Sequence, residues 1–272
     1  MNIVVVGLGL IGSNIRKNFL EKGNDVITIS RSHADLNVDL SRSIDEEEVG
    51  ARFKGVNVDV IVFTAFKIPK SANEDKVRLL KENIDITANF LAICRLIQPR
   101  QIINLSSIAV YKNQTGVFTE ESELKPSFNW NCYYGLSKLN AEEMISKFGI
   151  EENIKTVHLR ISQLLDEQCR DSLQRSFKEE ILSNNAITLY ANGVREANFI
   201  YNDFFSNSIL SKVISKGVEG VYNVGQFQSS YLDFAKQFVA KNGNDETKIN
   251  FVDKGNQSKI EYDCSKIQAA IS

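Results

Sequence analysis

The 272 residues are 43% hydrophobic and 24% charged and carry a formal net charge of −2, which fits one soluble globular unit or a larger domain carrying a smaller one. That near-neutral balance argues against a nucleic-acid or membrane-surface partner. Four scattered cysteines (Cys94, Cys132, Cys169 and Cys264) form no Cys-x-x-Cys pair, and the histidines are His33 and His158. A structural zinc site is therefore not expected, and a reducing compartment is. The opening "MNIVVVGLG" shows no basic leader and no long apolar segment, so the chain is expected to be cytoplasmic with nothing to be cleaved.

Residues 2–6 form a β-branched run suited to a buried parallel strand. Gly7, Gly9 and Gly12 follow in G-x-G-x-x-G spacing, an amphipathic stretch over 11–22 stops at Gly23, and 26–29 is a second apolar run. This is a βαβ unit with glycines in its first turn. Such a turn lets the backbone of Gly7, Gly9, Leu10, Ile11 and Gly12 approach a pyrophosphate, where a helix N-terminus offers free N–H donors and a favourable dipole. The position between strand and helix favours a dinucleotide site over glycines that serve packing alone.

The second strand ends Ile29-Ser30-Arg31-Ser32, with no carboxylate before Asp35. NAD normally meets an acidic side chain there. Arg31 suits a ribose phosphate instead, and Ser30 or Ser32 can donate to it, so NADP is favoured with NAD as the alternative. The competing reading of Arg31 is a solvated surface arginine.

Residues 59–64 read as a further buried strand, 67–75 as a loop passing over the cofactor face, and 74–97 as a helix ending before Pro99. A strand over 101–105 closes on Ser106-Ser107, a polar loop covers 112–131, a helix spans 133–148, and 156–160 is a strand. This alternation predicts an α/β fold of Rossmann type, a doubly wound parallel sheet over residues 1–160. Beyond Ile161 the rhythm breaks: 161–195 reads as helical and polar, "NFIYNDF" and "GVYNVG" supply apolar segments, and 249–252 is a short apolar piece. A small C-terminal substrate-binding lobe is expected from 161–196 and 226–272, with 197–225 returning to the main sheet.

"YYGLSK" at 133–138 places Tyr134 and Lys138 one helical turn apart, so the phenol and the ammonium share a face. Tyr133 has Ser137 at the same offset. The pair reads either as an ordinary helix start or as an acid/base pair.

Together the glycine turn, "LSSIAVY" at 105–111 and "YYGLSK" resemble the extended short-chain dehydrogenase/reductase family, and within it the sugar-nucleotide epimerase/dehydratase/reductase branch, over residues 1–225. The resemblance implies catalytic roles for Ser107, Tyr134 and Lys138, with Lys138 lowering the phenol pKa and holding the nicotinamide ribose. It also implies cofactor contacts from Asp39 and Leu40 in "VDLS", from Thr64, Ala65 and Phe66, and from Asn83. There are departures. The family's first turn glycine falls on Val6, and Ala197 stands where an arginine commonly holds the substrate diphosphate, a role that passes by this reading to Arg195.

Ile108 and Ala109 replace the Asp-Glu of family dehydratases, and Ala109 the epimerising cysteine of GDP-fucose synthases. The resemblance therefore implies an NADPH-dependent reductase of a nucleotide-linked 4-keto-6-deoxy sugar in surface-polysaccharide precursor synthesis, without a metal. It also implies a homodimer through the helices around 74–97 and 135–148. The alternatives are an NAD-dependent sugar-nucleotide 4-epimerase and a non-catalytic NADP-sensing Rossmann protein.

Overall fold

The computed structural model describes residues 1–69, 74–167 and 172–272. In chain order the first part comprises β1 (Asn2–Val6), α1 (Leu10–Glu21), β2 (Asp25–Ser30), β3 (Leu36–Asn37), α2 (Glu46–Phe53), β4 (Val60–Phe63), α3 (Lys76–Ile97), β5 (Gln101–Ser107), β6 (Gly116–Phe118), α4 (Cys132–Glu152) and β7 (Lys155–Ile161). There follow β8 (Gln163–Leu165), α5 (Leu173–Asn184), β9 (Ala186–Tyr190), β10 (Glu196–Tyr201), α6 (Asn202–Phe204) and, across a π-helical turn at Phe205–Leu210, α7 (Ser211–Lys216). The chain ends with β11 (Gly220–Val224), β12 (Phe227–Ser230), α8 (Tyr231–Asn242), β13 (Lys248–Val252), β14 (Ile260–Tyr262) and α9 (Ser265–Ala270).

Among the described residues the large sheet has seven parallel strands in the order β11-β7-β5-β4-β1-β2-β3, with Val6 opposite both Ile29 and Phe63. The chain winds outward from β1 to β3, then crosses back to β4 and proceeds the other way. The winding therefore reverses between β1 and β4, which opens a crevice at their carboxyl ends. Gly7 and Thr64 are the residues that follow those two strands.

Period-two alternation fills both faces. Ile3, Val5 and Leu105 pack with Ile15, Phe19 and Phe205 on one side, and Val4, Val6 and Ile61 pack with Phe90, Ile93 and Ile145 on the other. Each such side chain contributes about 1.5–3 kcal/mol when fully buried. That two-sided burial is why these strands read as continuous apolar runs.

The smaller lobe is built on the sheet β12-β10-β8, where Phe199 stacks against Phe227 at 5.7 Å and Phe234 at 5.2 Å. The parallel pair β13 with β9 packs in the same cluster, and the parallel pair β14 with β6 forms a separate one with Val110 and Tyr111.

The structure departs from the sequence expectation in three places. Residues read as helical over 161–195 contain β8 and β9 as well as α5. The partner of β9 is β13, some sixty positions away, and local spacing carries no trace of it. Strand β10, placed by sequence with the returning segment, joins the lobe sheet, and β11 alone of that segment joins the large one. Helix α9 belongs to the large core, since Ile267 and Ile271 pack with Tyr222 and Val224 of β11. Residues 70–73 of the loop expected over the cofactor face, and Cys169, lie outside the described residues. Among the described residues no helix is long and apolar enough to cross a membrane.

Candidate active site

The glycine turn is fixed to the neighbouring strand end. Gly7 adopts φ +98°, and a Cβ there would come within 2.7 Å of Ala65 N and Thr64 Oγ1, so this position requires glycine. The Thr64 hydroxyl donates to the Gly7 carbonyl at 2.7 Å. Gly12, which the sequence placed against the cofactor, packs its α-carbon on the Gly7 carbonyl and so sets how closely α1 approaches the turn. Helix α1 starts at Gly9 with no side-chain cap and no acidic residue in its first turn, which leaves its first N–H groups open to an anion.

A cleft beside this turn is lined by Gly7, Gly9, Ser30, Arg31, Asp39, Leu40, Thr64, Ala65 and Phe66. Ile11 instead reaches the neighbouring cavity, and Leu10, Ser32 and Asn83 line neither. Asn83 is buried: it accepts from Lys67 N at 2.8 Å, and its amide donates to Lys67 O at 3.0 Å and to Ser137 Oγ at 3.2 Å. It holds the segment after β4 against α4.

Asp35 is committed elsewhere, because Thr28 donates to it from N at 2.9 Å and from Oγ1 at 2.6 Å and so keeps the carboxyl below its ordinary range. Arg31 is exposed and makes no ion pair among the described residues. Lys67 also lines the cleft, bonded to Glu82 at 2.9 Å and to Ser41 at 3.3 Å. Sequence reading passed over it as one polar residue in a loop. Asp39 is partly buried, yet two Ser41 hydrogen bonds and the nearby charges of Lys67 and Arg31 hold its carboxyl below the usual range.

The second cavity, about 430 Å3, opens against the same strand ends and shares Thr64 and Phe66 with the cleft. Ser107 ends β5, where its Oγ accepts from Ala109 N at 3.1 Å and starts a short 3-10 turn. In the first turn of α4, Gly135 lies so close to this turn that a Cβ would fall 2.2 Å from the Ala109 carbonyl. That close approach sets Tyr134 beside Ser107. Lys138, one turn on, is buried, donates to the Leu105 carbonyl at 2.6 Å and lies 3.4 Å above the Phe66 ring. Ser107, Tyr134, Lys138 and Arg195 all line this one cavity.

Burial pushes the Tyr134 phenol up to about 12, offset in part by its hydrogen bond with Ser107. Burial likewise pushes Lys138 down to about 7, against the pull of Glu142 one turn further along. The expected lowering of the phenol by the lysine is thus not found in the protein alone. The ammonium is turned to Leu105 and Phe66, 5.5 Å from the Tyr134 ring centre.

Arg195 precedes β10. It lines the cavity, whereas Ala197 of β10 is packed in an apolar cluster with Leu165 and Phe199. The Arg195 guanidinium lies 5.3 Å above the Tyr231 ring, and its Nε is buried without a partner among the described residues. Trp130, Gln163, Tyr231 and Tyr262 line the same cavity and were not singled out from the sequence. Two of them come from the C-terminal third, where no motif or periodicity marks them.

A glycine turn at the reversal point of a parallel sheet, joined to a cavity that gathers Ser, Tyr and Lys, defines a dinucleotide-dependent enzyme of Rossmann type. The chain belongs to the NAD dependent epimerase/dehydratase family, whose profile matches residues 3–225, and so is an NAD(P)-dependent enzyme of the short-chain dehydrogenase/reductase superfamily. A sequence comparison with curated proteins gives no significant match. Among solved structures the chain is similar to UDP-N-acetylglucosamine 4-epimerase from Bacillus cereus, with 20% identity over 98% of this chain and 89% of that one and a TM-score of 0.80. It is similar to UDP-glucuronic acid 4-epimerase from Bacillus cereus in complex with NAD, with 21% identity over 100% and 90% and a TM-score of 0.80. It is also similar to dTDP-glucose 4,6-dehydratase from Bacillus anthracis str. Ames in complex with NAD, with 20% identity over 99% and 90% and a TM-score of 0.78. At such identities the likeness establishes the fold.

Proposed function

We propose that the protein is an NADPH-dependent reductase of a nucleotide-linked keto sugar of the 4-keto-6-deoxyhexose type. The observation that carries this reading is the convergence of Ser107, Tyr134, Lys138 and Arg195 on one cavity that shares Thr64 and Phe66 with the glycine-turn cleft. The cleft fits the cofactor: a Cβ would fill its cradle at Gly7, and the N-terminus of α1 is uncapped. Gly7, Gly9 and the open N–H groups of Leu10 and Ile11 would take the pyrophosphate, Arg31 with Ser30 and Lys67 the ribose phosphate, and Asp39 with Leu40 the adenine. Thr64, Ala65, Phe66 and Lys138 would flank the nicotinamide half. Bound NADPH would supply hydride to the substrate carbonyl carbon.

The chain's own groups do the rest. Ser107 donates a hydrogen bond to the carbonyl oxygen, and Tyr134 gives its proton to the alkoxide that forms. Lys138 supplies positive charge beneath the ring and Arg195 holds the diphosphate. Ile108 and Ala109 line the cavity without a group that exchanges protons, which supports simple carbonyl reduction over water elimination. On α3 and α4, Ala88 is exposed and Ile84, Leu136 and Met144 are half-buried, apolar surface that supports a homodimer through these helices. A cytoplasmic role in surface-polysaccharide precursor synthesis completes the reading.

The second reading is a 4-epimerase with tightly held NAD, favoured by the 4-epimerases among the similar structures. A screen of nucleotide-linked 4-keto sugars with NADPH and NADH separates the two. The reductase consumes NADPH in proportion to product, whereas an epimerase purifies with its cofactor and interconverts sugars with no net consumption. Loss of the Arg31 guanidinium removes a charge-assisted contact to the ribose phosphate, so Arg31→Ala is expected to raise the Michaelis constant for NADPH about tenfold or more and leave that for NADH nearly unchanged. Equal changes for both would overturn the NADP assignment.

A further inference from the structure

On the reading of the cavity as a nucleotide-sugar site, we propose that Trp130 is the platform on which the sugar ring stacks, with Asn113 and Asn131 orienting its hydroxyls, so that Trp130 selects the sugar independently of the nucleotide. Trp130 is the single tryptophan of the chain and is 77% exposed, yet it lines the cavity that holds Ser107 and Tyr134. Leaving an indole in water forgoes the burial of a large apolar surface, a cost that a ligand covering the ring removes.

The backbone around it is held while the ring is not. The Asn129 amide donates to the Tyr111 carbonyl at 3.0 Å, its side-chain oxygen accepts from Asn131 N at 3.0 Å, and Asn113 N donates to the Phe128 carbonyl at 3.1 Å. Phe128 is also exposed, but its ring lies near the Lys125 ammonium at 5.9 Å and it lines no part of the cavity. The contrast marks Trp130, and not Phe128, as the exposed aromatic of this segment that faces the site.

Two amides at the same wall are free for a ligand. Asn131 is the N-cap residue of α4, but its side chain makes no capping bond, and the Asn113 side chain makes no hydrogen bond with another described residue. Both line the cavity. A pyranose presents a flat face of C–H groups and a rim of hydroxyls. An indole matches the face through dispersion and weak C–H contacts, and an amide offers both donor and acceptor to the rim. Arg195, with its unpartnered Nε, enters the cavity from the other wall, in the lobe, and is suited to the diphosphate.

The single indole makes the test direct. The full chain is titrated with UDP-glucose, dTDP-glucose and GDP-mannose and with UDP, dTDP and GDP alone, binding being followed by calorimetry and Trp130 by its emission. A sugar nucleotide is expected to shift the emission saturably, while the matching diphosphate binds with far less change. Trp130→Ala is expected to weaken the sugar nucleotide about tenfold and to leave the diphosphate and the urea midpoint nearly unchanged, and Trp130→Phe to recover part of the loss. Calorimetric binding of a sugar nucleotide with unaltered emission, or an equal loss of both ligands in Trp130→Ala, overturns the platform and leaves the function standing. Failure of all three sugar nucleotides to bind overturns both.

Discussion

Replacing Tyr134 by Phe is expected to lower reductive turnover about a thousandfold, within the range contributed by a positioned acid. The substitution removes one oxygen and keeps the ring, so the packing of α4 through Gly135 against Ala109 is undisturbed. Cofactor affinity, measured by calorimetry, should therefore stay close to that of the unaltered protein. A variant that keeps full turnover would remove Tyr134 as the proton donor. The same enclosed pair predicts a pH dependence. A phenol raised to about 12 is fully protonated at neutral pH and ready to donate, so it does not set the alkaline limb. Lys138, pushed by burial to about 7, carries its ammonium below that pH and loses it as pH rises through it. Reduction leans on that charge, so kcat/KM in the reductive direction should decline as pH climbs through that region. Lys138→Met should give a low and flat profile; a decline as steep as in the parent would assign the limb to another group.

The first strand, turn and helix were legible because one constraint sets both sequence and shape. Strands buried on both faces must be apolar throughout, and the turn at Gly7 admits no side chain. Ser107, Tyr134 and Lys138 were picked out through the family resemblance, and the structure brings them to one cavity. The lobe was less so. Its strands are short, and β9 finds its partner β13 only through the tertiary fold, so no local period announces either. Asn83 shows a second limit. The family resemblance implies a cofactor contact, whereas in the fold its amide donates to Lys67 O and Ser137 Oγ. Lys67 and Trp130 show the converse: each looks like one more loop residue until the fold sets it on a cavity wall.

Arg160→Met is expected to destabilise the fold by about 3–5 kcal/mol, because it strands the Glu142 carboxylate in the interior. Both side chains are 4% exposed, and Arg160 Nη2 meets Glu142 Oε2 at 2.7 Å with Nε at 3.0 Å from Oε1. The pair is one part of a buried network. Ser106 donates to Glu142, Arg160 Nη1 donates to the Tyr111 hydroxyl at 2.7 Å, and that hydroxyl donates to Asn223 Oδ1 at 2.8 Å. Strands β5, β7 and β11 and helix α4 are thereby joined through charge and hydrogen bonds as well as apolar contact. Glu142→Leu alone should cost a similar amount by leaving the guanidinium unpaired. The double variant Glu142→Leu/Arg160→Met should lie closer to the parent than either single one, since no lone charge remains. Urea midpoints at constant slope measure all three. Double-variant losses equal to the sum of the singles would show that the two charges act independently. The network also bears on the chemistry, because Ser106 adjoins Ser107 and Glu142 lies one turn beyond Lys138, whose ammonium it favours. Glu142→Gln keeps a hydrogen-bonding group in place and removes that support. It should therefore move the alkaline decline of kcat/KM to lower pH, an effect on the site that a loss of stability alone would not produce.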